Sequence, residues 1–536
     1  MTVKSKQFWG GGEPFIWLTG GALSLSLLLV VGLISLILYY GLGFFWPRAV
    51  LRATLSDGTT MTGQVVEREP VPGKPGEYRI KMKVANRDLY GADFQWVDES
   101  RIAKREYPAD VAVIERTEWG ALVGTIKEMR DGGQVVASGP QAWAAVERRL
   151  PEATRVRQEI RRIETREIGA INYEQEQVRL GLKKLELKGT AAGPAVDALK
   201  AKLGPLDERY KAQELRLSEL RRGQTANMVV EADGGKQKEW PLALVVDVRF
   251  PNAMSLPAKA GYYLGRIWEF VADEPRESNT EGGVFPAIFG TVMMVFLMSI
   301  IVTPLGVLAA FYLREYAKQG AFVSAVRIAV NNLAGVPSIV FGVFGVGFFI
   351  YFVGGSIDRI FFPEALPTPT YGTGGILWAS LTLALLTVPV VIVATEEGLA
   401  AIPLGIREAS LALSATKLET TLRVVLPAVM PSILTGLILA MARAAGEVAP
   451  LMITGVVKLA PALPLDGAWP FLHLDRKFMH LGFHIYDVGF QSPNVDAARP
   501  MVFATTLLLL LIVVLLNLFA IATRNRLRRK YASAAV

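Results

Sequence analysis

Six stretches of the chain, 14–47, 284–313, 328–357, 371–395, 424–457 and 501–523, run almost without charge. Each exceeds the roughly 20 apolar residues a helix needs to cross about 30 Å of hydrocarbon. A charge at the middle of such a helix costs about 2.5–3.5 kcal/mol, so charge-free runs of this length are the signature of membrane spans. The fifth run alone is interrupted internally, by Arg443 and Glu447. A mean hydropathy of +0.33 with only 20% charged residues excludes an ordinary soluble globular chain. The expectation is an all-α polytopic membrane protein with six transmembrane helices. No small-residue cleavage site follows a short apolar region in 14–47, which therefore reads as a retained anchor.

An even number of crossings puts both termini on one side. The tail carries Arg524, Arg526, Arg528, Arg529 and Lys530 with no acid, and Lys4 and Lys6 precede the first run. By the positive-inside rule both ends are expected in the cytoplasm, together with the connectors 314–327 and 396–423. Residues 48–283, 358–370 and 458–500 then lie outside, although Arg48 and Arg52 oppose Lys4 and Lys6. The expected organisation is a cytoplasmic N-terminus 1–13, a first span 14–47, an exported domain 48–283, a membrane domain 284–523 and a basic tail 524–536. The net charge of +8 is accounted for by these cytoplasmic edges, with no nucleic-acid partner.

Within 48–283, residues 54–67 and 78–96 alternate apolar and polar positions around turn signals at Asp57-Gly58 and Pro72-Gly73, which predicts strands and hairpins. From 142 to 222 the pattern becomes helical and densely charged, broken at Gly189 and Gly193, which predicts an antiparallel helical hairpin. Strand character resumes over 228–250. A mixed α/β insert containing a helical hairpin fits this order. The Arg-rich stretch is interleaved with Glu, so its charges largely pair among themselves.

The absence of cysteine excludes disulfides and thiolate chemistry. There is no HExxH, GxSxG or GxxxxGK[ST] pattern, so ATP-derived energy must come from another polypeptide, and the chain is expected to be no enzyme and to need no cofactor. All three histidines, His473, His480 and His484, fall in one connector. The i,i+4 spacing of the last two would suit metal ligands on a helix, but no metal site is expected there.

Two places carry a function. Arg443 is an expensive residue inside a span, and such residues face a water-filled path or an opposing charge. Its planar fork can hold a tetrahedral oxyanion through two hydrogen bonds, and Glu447, four residues on, can pair with it at rest. A purely structural intrahelical pair is the competing reading. Second, Pro403, Leu404-Gly405 and Pro427 divide the 396–426 connector into two short helices, each too short to persist in water without packing. Gly335-Val-Pro337 and Pro304-Leu-Gly306 interrupt the third and second spans, either as bends lining a path or as the ordinary Gly and Pro of membrane helices.

Glu408-Ala409-Ser410, Ser414 and Val424-Val425-Leu426-Pro427 resemble the EAA signature of ABC importer permeases, with Ser414 standing where the signature has Gly. The segments around Asn331-Asn332, Gly335, Pro337 and Gly342, and from Ala442-Arg443 through Gly446-Glu447 to Pro450, resemble PstA-type permeases of phosphate ABC transporters. The resemblance covers about residues 284–525 and implies a type I ABC importer permease core in a bacterial inner membrane. It implies that Glu408, Ala409, Ser410, Ser414 and Pro427 dock an ATPase, and that Arg443 and Glu447 lie on the substrate path, with Asn332, Gly335 and Pro337 as helix breaks beside it. The implied partners are a second, PstC-like permease, two copies of a PstB-like ATPase, a periplasmic phosphate-binding protein, inorganic phosphate and the bilayer. A permease for another oxyanion (sulfate, molybdate, a phosphonate) and a phosphate-sensing membrane scaffold are the alternatives.

Overall fold

The computed structural model describes residues 12–190, 192–276, 279–467, 469–492 and 495–532; Lys4, Lys6 and the last residues of the tail lie outside them. The first apolar run forms helix α1 (Glu13–Gly43), which stops short of the expected Pro47. Nearly all of its apolar side chains are exposed. It meets the rest of the chain near its end, where Tyr40 stacks on Phe503 at 5.0 Å and Gly41 lets the backbone approach Phe503.

Residues 48–283 form two large antiparallel sheets with a helical insertion, and a short two-stranded ribbon pairs 275–276 with 281–282. The first sheet contains β1 (Val50–Leu55), β2 (Thr60–Pro70), β3 (Tyr78–Lys83), β4 (Phe94–Asp98) and β5 (Ile102–Glu106) in the order β4-β3-β2-β1-β5. The Asp57-Gly58 signal makes the β1–β2 turn: Gly58 takes φ +83°, and the Asp57 carboxylate accepts the Thr59 N–H at 2.9 Å. Alternation sends Leu51, Ala53 and Leu55 inward onto Ile80, Met82 and Val97. The second sheet contains β6 (Ala112–Arg116), β7 (Leu122–Asp131) and β8 (Gln134–Ser138). The chain then leaves as α2 (Pro140–Arg162), a π-helical turn, α3 (Ile168–Leu187) and α4 (Pro194–Arg222). It returns as β9 (Ala226–Glu231), β10 (Gln237–Pro241) and β11 (Val245–Arg249), giving the order β10-β9-β7-β6-β11 with β8 beside β7. Ala142 and Val146 of α2 complete a core with Leu122, Met228, Val230 and Trp240. A helix that the sequence reading passed over, α5 (Leu256–Ala272), follows; the Ser255 side chain caps it by accepting from the Ala258 N–H.

The predicted hairpin is present. Ile171, Val178 and Leu206 close its apolar seam, with Leu182, Leu199, Leu203 and Tyr210 packed around them. Its charges pair mostly across the helices: Arg209 with Glu174 at 2.9 Å, Arg221 with Glu164 at 2.5 Å, and Arg216 with Glu159. Helix α3 then rests on the membrane body. Lys184 pairs with Glu364 at 3.1 Å, Lys183 donates to the Leu366 carbonyl, and the Tyr173 hydroxyl donates to the Trp469 carbonyl at 3.0 Å.

The membrane body follows as α6 (Phe285–Phe311), α7 (Ala321–Leu333), α8 (Ser338–Phe344) continuing through π-helical turns into α9 (Gly355–Phe361), α10 (Ile376–Ala401), α11 (Leu404–Ala412), α12 (Lys417–Thr420), α13 (Leu426–Gly446), α14 (Ala449–Thr454), α15 (Leu481–Tyr486) and α16 (Val495–Ala532). Among the described residues six helices are long and apolar enough to cross a membrane: Pro14–Gly43, Phe285–Tyr316, Ser338–Phe361, Ile376–Ala401, Lys417–Gly446 and Val495–Arg526. Helix α10 is the hub. A Cβ on Gly306 of α6 would meet Val391 at 2.7 Å, and one on Gly436 of α13 would meet Ala394 at 2.8 Å, so both helices approach α10 through glycine.

Two expected spans are corrected. The run 328–357 is not one helix: α7 ends at Leu333 and the span starts afresh at Ser338, because Pro337 has no N–H and restrains the residue before it. The run 424–457 likewise ends at Gly446, and Ala449–Thr454 is a separate short helix. Pro304, by contrast, is accommodated inside a continuous α6. Glu396 and Glu397 belong to α10, so the connector begins at Ile402.

Candidate functional site

Helix α13 buries Ala440, Met441, Ala444 and Ala445 in the central cluster, which leaves Arg443 on the flank of its last turn. Glu447 does not occupy the next helical turn; it terminates the helix in an extended conformation, φ −77° and ψ 134°. The two still form an ion pair, Nε to Oε1 at 3.6 Å, with the side chains 34% and 21% exposed. That separation is beyond hydrogen-bond reach. Among the described residues the Arg443 guanidinium has no hydrogen-bonded partner, so its donor fork is unused.

Asn332 lies in the last turn of α7, and Gly335 and Pro337 in the break between α7 and α8; all three are exposed. The Gly335 N–H returns to the Asn332 carbonyl at 3.0 Å, closing the turn. Leu333 and Val336 pack against the cluster that holds Ala440–Ala445, and Gly342 of α8 sits against Pro450 of α14, where a Cβ would come within 2.8 Å. The helices restarting after the two interruptions therefore pack together. No hydrogen bond joins Arg443 to Asn332 among the described residues. Interrupted helices of this kind occur in membranes where protein or a water-filled cavity satisfies the freed backbone groups.

The connector after α10 lies at the opposite end of the body from the insert, since α10 runs from the loops that α3 touches to α11. Glu408 and Ala409 are exposed, and the Ser410 hydroxyl meets the Thr420 hydroxyl at 2.9 Å across the two short helices. Ser414 makes the turn at φ +64°, the left-handed conformation that the signature's Gly adopts at no steric cost. Thr416 and Glu419 then form a capping box that starts α12, and Pro427 occupies the first turn of α13. Leu404, Leu413 and Leu418 are 72%, 85% and 60% exposed, an apolar surface on an otherwise polar connector.

Arg407 fastens this segment. It donates to the Ile402 and Leu399 carbonyls at the end of α10, each at 2.8 Å, and to Glu315 beyond α6 at 2.9 Å. A basic residue just past a helix C-terminus was the available signal. Nearby, Arg327 of α7 pairs with Glu396 of α10 at 3.1 Å.

The histidines do not converge. His473 faces Asp466 at 3.0 Å, while the His480 Nδ1 accepts the Gly482 N–H at 3.1 Å and the His484 Nδ1 lies 3.5 Å from the Thr505 hydroxyl. Burial drives the imidazole of His480 down to about 3 and that of His484 to about 4, so both are neutral near pH 7.

Residues 302–531 match the family described as binding-protein-dependent transport system inner membrane component. Within this class, the chain is similar to the "Probable phosphate transport system permease protein PstA" of Methanocaldococcus jannaschii, 32% identical over 198 residues, 36% of this chain and 63% of that one. It is also similar to the phosphate transport system permease proteins PstA of Mycobacterium leprae (36% identity; 32% of this chain, 51% of that one) and Yersinia pestis (32%; 35% and 57%). The chain thus spans between about half and two thirds of the length of these relatives. A chain from an inward-facing structure of the MetNI methionine ABC transporter aligns over 51% of this chain and 99% of its own length, at 21% identity and TM-score 0.33.

Proposed function

We propose that the chain is the membrane permease subunit of an ATP-driven importer of inorganic phosphate, forming half of the translocation path and coupled to a separate ATPase. The observation that carries the reading is Arg443: a permanently charged fork, half-buried in a span, held by one long ion pair and free to donate. Phosphate offers paired oxygens to such a fork, and Glu447 supplies the competing carboxylate that makes binding weak and reversible. Neither residue breaks a bond; both only hold charge.

In this reading Glu408, Ala409, Ser410, Ser414 and the exposed leucines beside them seat against the ATPase, and Arg407 passes its movement to α10 and Glu315. A second related permease, two ATPase copies and a binding protein complete the assembly. The termini and the 402–425 connector face the cytoplasm, and residues 48–283 face the periplasm. The PstA names of the relatives support phosphate over other oxyanions.

Radiolabelled uptake by the assembled transporter tests this. In Arg443→Ala, loss of the charge-assisted hydrogen bonds, about 1.5–3 kcal/mol, should weaken phosphate uptake by roughly 10- to 100-fold while the ATPase still co-purifies. Unchanged phosphate uptake in Arg443→Ala, or preference for sulfate or molybdate in the wild type, would refute it.

A further inference from the structure

Where α1 and α16 meet the insert, a pocket of about 160 Å³ opens that has no part in the proposed translocation path. Its floor comes from the residues following α1, among them Phe45, Trp46 and Arg48, and from the first turns of α16, Asp496 to Pro500. Its wall comes from the insert: Lys83 of β3, Arg249 of β11 and Arg266 of α5.

The charges in this pocket are unequally engaged. Glu115 is fully committed, to Arg249 at 2.5 Å, to Arg266 at 2.9 Å and to Arg276 at 3.6 Å. Asp496 is taken by Lys81 at 2.7 Å and Arg499 at 3.7 Å, and Glu281 also lines the wall. On the cationic side, neither Arg48 nor Lys83 has a side-chain ion pair or hydrogen bond among the described residues, and the buried Nε of Arg249 has no hydrogen-bond partner. Unused donors therefore face a cavity in which Glu115 and Asp496 are already engaged by other cations.

The level of the pocket supplies the second argument. It lies where the chain of α1 leaves its apolar run and α16 enters one. Tyr263 of α5 packs on the rings of Phe45 and Trp46, while Leu264 and Trp268 of the same helix are 66% and 72% exposed. Exposed Trp beside a span end marks the headgroup layer of a bilayer, and α5 carries a basic residue, Arg266, to the pocket while showing an apolar stripe outward.

We propose that this pocket binds a phosphate group at the membrane surface, through Arg48, Lys83 and the free Nε–H of Arg249. The group has two sources, the headgroup of an anionic phospholipid and free inorganic phosphate. Delipidated full-length chain in detergent, carrying Arg443→Ala so that the span site cannot respond, is titrated with short-chain phosphatidylglycerol or with inorganic phosphate while the unfolding midpoint is followed. A saturable rise with either probe is expected, and Arg48→Gln/Lys83→Gln should raise the half-saturating concentration about tenfold or more, the loss of at least one charge-assisted hydrogen bond. A response to phosphatidylglycerol alone assigns the lipid; a response to inorganic phosphate assigns the free anion. Arg48 is exposed and unpaired, so Arg48→Gln alone provides the comparison if the double variant does not fold. No saturable rise with either probe, or a half-saturation unmoved by Arg48→Gln and by the double variant, overturns the proposal.

Discussion

At the scale of single residues, Ser414 and Arg407 carry the most testable chemistry. A non-glycine side chain at φ +64° costs roughly 1–2 kcal/mol, so Ser414→Gly should relieve about 1 kcal/mol at the turn between α11 and α12. A higher unfolding midpoint, with ATPase association preserved, is the expected result; a lower midpoint would show that the serine hydroxyl is needed there. Arg407→Ala removes three hydrogen bonds that hold α11 to α10 and to Glu315. ATPase binding should survive in this variant, but phosphate-dependent stimulation of ATP hydrolysis should fall at least tenfold, since α11 would move without carrying α10. Arg443 was legible from the sequence because a charge inside an apolar run stands out. Arg407 carries only a weak signal, a basic residue just past a helix C-terminus, which solvated charges in a basic connector share.

At the scale of elements, charge-free runs reported where apolar helices lie but not where they break. Hydropathy is continuous across Ala334–Pro337, and in the fifth run Glu447 shows only as a charge; backbone chemistry, a missing N–H at Pro337 and an extended residue after Gly446, ends the helices there. The strands and the hairpin were readable from alternation and glycine breaks, whereas α5 was hidden by Gly261 and Gly265 inside it, which lower helix propensity. The α15 region makes a pH prediction. His480 and His484 are held near 3 and 4 in the fold by burial, with Asp487 and Lys458 pulling His484 in opposite directions, while an unfolded imidazole titrates at about 6.5. Below pH 6.5 the unfolded chain therefore takes up protons that the folded one refuses. Stability should be flat above that pH and fall by roughly 1.4 kcal/mol per unit per histidine as pH drops toward 4. Urea titrations at pH 7, 6 and 5 would measure this, and His480→Gln should remove about half of the slope; a slope unchanged in that variant would exclude the assignment.

At the scale of the whole molecule, the six apolar spans and the large insert were set by length and composition, while the contact between them was not. The chain has no native cysteine, so single introduced thiols report sidedness without background. With the insert in the periplasm, Lys200→Cys in intact spheroplasts should react with a membrane-impermeant maleimide, and Ala412→Cys should react only after permeabilisation; the reverse pattern would invert the topology. The grip of α3 has a consequence for motion. The hairpin holds the loop after α9 through Glu364 and Leu366, and the loop before α15 through Trp469. Those two loops leave different spans, so any rearrangement that parts them must either drag some 80 residues of hairpin along or tear its footholds loose, giving this end of the helical body a spring whose stiffness is written in the insert and not in the spans.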